Sequence, residues 1–245
     1  MAICACQIRL HLNFMVRRYP ASMQITKFEH SCILLEQSGR RLYLDPGKFT
    51  TPLTECGSVD GVVITHEHDD HFVVEQLARI AKQSPNVQVL TTARVADLID
   101  AAELEDIGTV HIAAPGETVQ LGAFSITVFG GTHAEIHSSI PRIDNIGVVV
   151  NGAFAYAGDA YDPIPAGFDI QLLAVPAYGP WMRMADSIDY LLSVRPQAAF
   201  AVHEMLLSRP GKELANARFQ AAAESYGGTY HALVPGDSVS ISRNY

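Results

Sequence analysis

The segment from His66 to His71 constrains this chain more than any other feature. It reads HEHDDH and directly follows the apolar run VDGVVIT at residues 59–65, which is typical of a buried strand. Because side chains two apart in an extended segment point the same way, His66 and His68 share one side. Imidazoles and carboxylates are ligands that zinc and similar divalent ions prefer, and so many of them in six residues argue against a merely solvated loop. The sequence predicts a metal-binding turn leading into a helix over residues 72–81.

Three residues elsewhere have the same relation to predicted strands. His133 follows FGGT, Asp159 follows AYAG and His203 follows FAV, in each case just past an apolar run. Each signal is weak alone, since a single His at a strand end is more often a hydrogen-bonded structural residue. Four ligands in one turn cannot complete two metal sites, however, so together these residues predict the missing ligands.

The order of these motifs resembles the metallo-β-lactamase superfamily, and the resemblance covers about residues 23–245. It implies an α/β chain folded as a four-layer αββα sandwich, with metals at one edge of two sheets. It also implies a role for each residue in the motif. The first metal would be held by His66, His68 and His133, the second by Asp70, His71 and His203, and Asp159 would bridge both.

A further carboxylate is implied by the same resemblance. Asp45, in the segment LDPG, matches an Asp that supports the metal loop from behind, and we expect it to orient a ligand by a hydrogen bond. A simple Asp-Pro turn is an equal alternative. Asp159 argues against an antibiotic-hydrolysing enzyme, because the resemblance implies no Asp at that position in the β-lactamases proper. Those enzymes are usually exported, and we expect no signal peptide in this chain.

The segment FEHSCILLE at residues 28–36 resembles the opening G-H-(A/S)-x-(F/V)-L-(I/L)-E of a compact branch of the superfamily. That branch includes the ascorbate-6-phosphate lactonase and phospholipase D-like hydrolases, although Glu29 stands here in place of the usual Gly. The resemblance implies a hydrolase with two divalent ions, zinc above all, with manganese or iron as alternatives. A hydroxide bridging the metals would attack an ester, lactone or phosphodiester, and Asp70 would also relay a proton as a catalytic residue.

Two other functions remain open at this point. One is a mononuclear iron thiol dioxygenase on the same fold, and the other is a metal-binding protein without turnover. Both typically leave part of the second site unused, whereas every expected ligand is present here, which favours hydrolysis.

Loops around the metals are expected to bind a small-molecule substrate. The candidates are His30, His137, Asn145, Tyr178 and Arg183. For His30, a buried hydrogen-bonded role is an equal alternative. Arg142 and Glu204 are weaker candidates, and we expect Trp181 to pack in a surface loop.

Composition limits the partners and the compartment. The net charge is −9 and no strong basic cluster is present, so nucleic acid is not an expected partner. No apolar run approaches the ~20 residues of a membrane span. The four cysteines lack a zinc-ribbon spacing and suit a reduced, cytoplasmic protein, with a homo-oligomer as one expectation for its assembly. Residues 1–22 are expected to be an N-terminal extension, followed by one hydrolase domain over residues 23–245.

Overall fold

The computed structural model describes residues 22–242, and the expected N-terminal extension lies, except for Ser22, outside them. The described residues form fourteen strands and four helices. In chain order these are β1 (Met23–Lys27), β2 (Ile33–Gln37), β3 (Arg40–Leu44), β4 (Val59–Ile64), α1 (Val74–Gln83), β5 (Val87–Thr91), α2 (Ala93–Ala101), β6 (Ile107–Ile112), β7 (Thr118–Leu121), β8 (Phe124–Thr132), β9 (Asp144–Val150), β10 (Phe154–Tyr156), β11 (Leu172–Pro176), α3 (Met184–Val194), β12 (Ala198–Val202), α4 (Arg209–Glu224), β13 (Thr229–His231) and β14 (Ser238–Ile241).

The strands form two mixed sheets of seven strands each. The first has the order β14-β1-β2-β3-β4-β5-β6, and the second has the order β13-β12-β11-β10-β9-β8-β7. In each sheet, antiparallel pairing gives way to parallel pairing, at β3 in the first and at β10 in the second. Parallel strands need crossover connections, and helices supply several of them here.

Three apolar layers hold these elements together. The layer between the sheets contains Phe124, Phe154 and Phe200, together with side chains of the first sheet. The outer face of the first sheet packs against α1 and α2, and the outer face of the second sheet packs against α3 and α4. This arrangement confirms the predicted four-layer sandwich. Among the described residues, no helix is long and apolar enough to cross a membrane.

The hairpin between β9 and β10 turns at Asn151 and Gly152, whose φ values of 50° and 65° suit a tight turn. The helix predicted from Phe72 begins only at Val74. The backbone amides of His71 and Phe72 both donate to the carbonyl of His68, so these residues belong to a turn.

The fold places the predicted ligands at one edge. The carboxyl ends of β3 and β4 lie together in the first sheet, and those of β8, β10 and β12 point the same way in the second. A hydrogen bond from the amide of Ile146 to the carbonyl of Thr65 joins the two sheets there. The loops that leave these strands therefore meet at the rim of the sandwich.

Candidate metal centre

Two groups of ligand-type side chains lie at this rim. The first contains His66, His68, His133 and Asp159, and the second contains His30, Asp70, His71 and His203. Within each group, the candidate ligand atoms lie within 4.8 Å of one another. The seven residues proposed from the sequence as ligands are thus brought together, and His30 joins them.

Asp159 lies between the two groups. Its Oδ2 is 3.4 Å from Nε2 of His133 in the first group and 3.1 Å from Nε2 of His203 in the second. Its Oδ1 is 3.2 Å from Nε2 of His71. The indole Nε1 of Trp181 donates to Oδ2 over 2.9 Å. A carboxylate in contact with both groups has the position that a bridging ligand needs.

Asp45 fixes the orientation of two imidazoles. Its fully buried carboxylate accepts hydrogen bonds from Nδ1 of His71 (2.7 Å), the hydroxyl of Tyr156 (2.9 Å) and both the amide and hydroxyl of Thr65 (2.7 Å each). Because the Thr65 hydroxyl gives its one proton to Asp45, its oxygen accepts from Nδ1 of His66 over 3.0 Å. In its neutral form, each of these imidazoles therefore carries its proton on Nδ1 and turns the Nε2 lone pair into the site.

His133 has the same orientation for a different reason. Its Nδ1 donates to the carbonyl of Ala134 over 2.6 Å, which leaves Nε2 unprotonated and facing Asp159. A neutral imidazole with its free nitrogen turned inward is the form that binds a divalent metal.

Burial and charge set the protonation of the site. Burial lowers the pKa of His66 well below its usual value and also lowers the pKa of His68, so both imidazoles are neutral. For His203, burial alone would lower the pKa, but the carboxylate of Asp159 outweighs it and raises the pKa to about 9. For His71, Asp159 and Asp45 likewise overcome burial and raise the pKa well above its usual value. Metal binding to these two residues therefore releases protons.

The residues fit a pair of divalent cations. Nε2 of His133, Nε2 of His203 and Oδ1 of Asp159 are buried, and none has a hydrogen-bond partner within the described chain. An unpartnered buried polar atom costs about 1–3 kcal/mol. Such a cost is unusual in a native protein, and cations placed among these atoms would remove it.

Three of the site residues have strained backbones. His30, Asp45 and His203 have φ values of 58°, 44° and 60°, in the left-handed region that residues other than glycine rarely adopt. Strain of this kind costs about 1–3 kcal/mol per residue and is concentrated at functional sites.

Gly47 is needed beside the metal turn for a steric reason. A Cβ at this position would lie 2.0 Å from the carbonyl oxygen of Asp70.

The proposed substrate residues have different positions. His30 is fully buried in the second group, whereas His137 is exposed and hydrogen-bonds to Ser139. Tyr178 is 37% exposed. Arg183 is exposed and caps α3 by bonding to Asp186. Its guanidinium group thus has a charged partner within the protein.

Asn145 and Trp181 require corrections. Asn145 is fully buried, its NH2 group donates to the carbonyl of Ala157 and its oxygen accepts from the amide of Asp159. It therefore holds the Asp159 loop from behind and cannot reach a substrate. Trp181 is not a surface residue, because it is only 8% exposed and bonds Asp159 directly.

The sequence analysis did not predict the buried ion pair between Lys27 and Glu204. Lys27 is 1% exposed, and its Nζ donates to Oε1 of Glu204 over 2.7 Å and to the carbonyl of Phe28 over 2.8 Å. Glu204, which was a weak substrate candidate, is thereby bound to the opposite sheet. This ion pair ties the end of β1 to the loop that carries His203.

We expect replacement of Lys27 by methionine to destabilise the fold by about 3–5 kcal/mol, because Glu204 is left buried without its partner. Urea unfolding would measure this loss. In the K27M/E204L double variant most of the stability should return, since apolar replacement of a whole buried pair is often neutral. The control is K48M. Lys48 also bonds a carboxylate, that of Asp69 at 2.6 Å, but both side chains are exposed, so the expected loss is below about 1 kcal/mol. Equal losses for K27M and K48M would contradict this interpretation.

Comparison with known proteins identifies the family. Residues 24–203 match the family described as the β-lactamase superfamily domain. The chain belongs to this superfamily, as its motifs predicted, and its fold is the metallo-β-lactamase fold.

Individual proteins are also similar to this chain. Protein Rv0786c of Mycobacterium tuberculosis is 33% identical over 192 residues, which cover 76% of this chain and 86% of the relative. A protein of Aeropyrum pernix described as a UPF0173 metal-dependent hydrolase is 35% identical over 79 residues, 31% of this chain and 32% of the relative. Among solved structures, the metallo hydrolase Igni18 of Ignicoccus hospitalis superposes with a TM-score of 0.68 at 17% identity, covering 91% of this chain and all of the other. The last comparison shows the fold alone.

Proposed function

We propose that this chain is a hydrolase that uses two divalent metal ions, zinc above all, to cleave an ester, lactone or phosphodiester bond in a small molecule. The observation that carries the proposal is the position of Asp159 between two groups of buried ligands. Membership of the superfamily and the likeness to a relative described as a metal-dependent hydrolase support it.

Each side chain of the centre has a proposed role. His66, His68 and His133 would hold the first ion, Asp70, His71 and His203 the second, and Asp159 would bridge them. When bound, such ions activate a water as a nucleophile near neutral pH and polarise the oxygen of the bond under attack. Asp70 is the candidate for moving a proton, because its side chain is 18% exposed and so reaches the open side of the site.

We place the approach of the substrate beside His68 and His133. Ile136, Ile140 and Arg142, from the loop between β8 and β9, line a small cleft there together with these two histidines. Arg142 is exposed, and Glu135 lies 3.3 Å from its guanidinium group. An apolar wall with one exposed cation suits a small ester or phosphodiester better than a nucleic acid, in keeping with the net charge of −9.

Hydrolysis assays with and without a chelator test the proposal. We expect the zinc-loaded protein to turn over at least one member of a panel of carboxylic esters, lactones and bis-phosphodiesters. Activity should fall to background after chelation and return on addition of zinc or manganese. Oxygen-dependent oxidation of a thiol by a one-iron form, with no hydrolysis, would instead establish the dioxygenase. Tight metal binding without any turnover would favour the non-catalytic protein.

A further inference from the structure

His30 differs from the other histidines of the centre in the nitrogen that carries its proton. The backbone amide of Met205 donates to Nδ1 of His30 over 3.2 Å. A nitrogen that accepts a hydrogen bond carries no proton, so the single proton of the neutral ring is on Nε2. That nitrogen lies 3.0 Å from Oδ2 of Asp70 and donates to it.

This arrangement is the reverse of that found for His66, His71 and His133. In those residues the outer nitrogen Nδ1 donates to protein oxygens, so the neutral ring has its lone pair facing inward. His30 presents an N–H to the centre, and an N–H cannot coordinate a cation. His30 lies close enough to the second group to be counted among its ligands. Its hydrogen bonds, however, leave no lone pair facing the centre.

We propose that His30 is a positioning residue that holds the carboxylate of Asp70 through Nε2–H and is not itself a metal ligand. This inference rests on the proposed dinuclear centre. Hydrogen bonds from surrounding residues to a ligating carboxylate fix its orientation and tune its affinity for the metal.

The surroundings of His30 maintain this contact. The ring is fully buried, lies 4.0 Å from the ring of His203 at a tilt of 43° and meets Phe49 edge-on at 4.9 Å. The amide of His203 also donates to the carbonyl of His30 over 3.0 Å. The loop after β12 supplies both His203 and Met205. Packing of His30 against this loop therefore positions a residue of the second group and also determines which nitrogen of His30 carries the proton. The left-handed backbone of His30 is part of this fit.

Glutamine and alanine variants separate the two roles. The side-chain amide of glutamine has an acceptor and a donor on one carbon, so it can accept from Met205 and donate to Asp70, yet it is a poor zinc ligand. We would titrate wild type, H30Q and H30A with zinc in competition with a chromophoric chelator. The expected result is two sites in all three proteins, with H30Q within about threefold of wild type. In H30A, affinity at the second site should fall about 10–100-fold.

Three outcomes would overturn the proposal. Loss of the second zinc in H30Q as in H30A would make His30 a ligand, and unchanged binding in H30A would leave it without a role. A nitrogen NMR spectrum of the zinc-loaded wild type supplies a readout that needs no variant: Nε2 of His30 should be protonated, and a zinc-bound Nε2 would contradict the assignment. Failure of the wild type itself to bind a second zinc would instead overturn the proposed function, and the two failures are therefore distinguishable.

Discussion

Replacement of Asp159 by asparagine is expected to remove hydrolysis almost completely. The carboxylate lies 3.1–3.4 Å from histidines of both groups. Loss of its charge would weaken both metal sites and misplace whatever metal remains. Metal ions contribute several kcal/mol to stabilising a transition state, and each 1.36 kcal/mol changes the rate tenfold, so kcat/KM should fall by at least about 10³.

The exposed Asp189, on α3, supplies the matched control for this variant. D189N removes the same charge outside the centre and is expected to keep the activity and metal content of the wild type. Metal analysis of D159N should give fewer than two equivalents per chain. A D159N protein with two tightly bound metals and near-normal kcat/KM would show that Asp159 does not bridge them.

Replacement of Asp45 by asparagine should strongly destabilise the fold. The fully buried carboxylate accepts four hydrogen bonds, from Thr65 twice, from His71 and from Tyr156. An amide has one oxygen and would present an NH2 group to donors that already face it. Breaking a buried charged network of this kind costs about 3–5 kcal/mol, which lowers Tm by roughly 10 °C in a chain of this size.

Metal affinity should decrease in the same D45N variant. Asp45 orients His71 directly and His66 through Thr65, so that Nε2 of each ring faces the site. Loss of such a supporting contact typically lowers metal affinity about 10–100-fold. Thermal unfolding and zinc competition would measure the two effects. The control is D69N, within the same metal turn but 64% exposed and paired only with Lys48, for which the expected loss is below about 1 kcal/mol. A D45N protein as stable as D69N would contradict the network.

Much of the centre could be predicted because its residues follow strands. A buried strand is visible as an apolar run, and a polar residue at its end must emerge at a sheet edge. His66, Asp159 and His203 could all be found in this way. The turn between β9 and β10 is equally local, since the dipeptide Asn151-Gly152 tolerates positive φ at both residues.

The parts that could not be predicted depend on contacts between distant residues. His30 and Met205 are 175 positions apart, and Lys27 and Glu204 are 177 apart, so nothing in either local sequence indicates the partner. Asn145 is a polar residue next to a ligand loop, and only the structure shows that its amide is fully used within the protein. Trp181 was misjudged because an aromatic in a proline-rich loop is typical of a surface. Its bond to Asp159 arises from the packing of the loop after β11 against the centre.

The most direct test of the dinuclear centre is diffraction from crystals of the zinc-loaded protein, recorded at the zinc absorption edge. We expect two anomalous peaks per chain, one among His66, His68 and His133 and one among Asp70, His71 and His203, with Asp159 in contact with both. A single peak confined to one group, or none in either, would contradict the account.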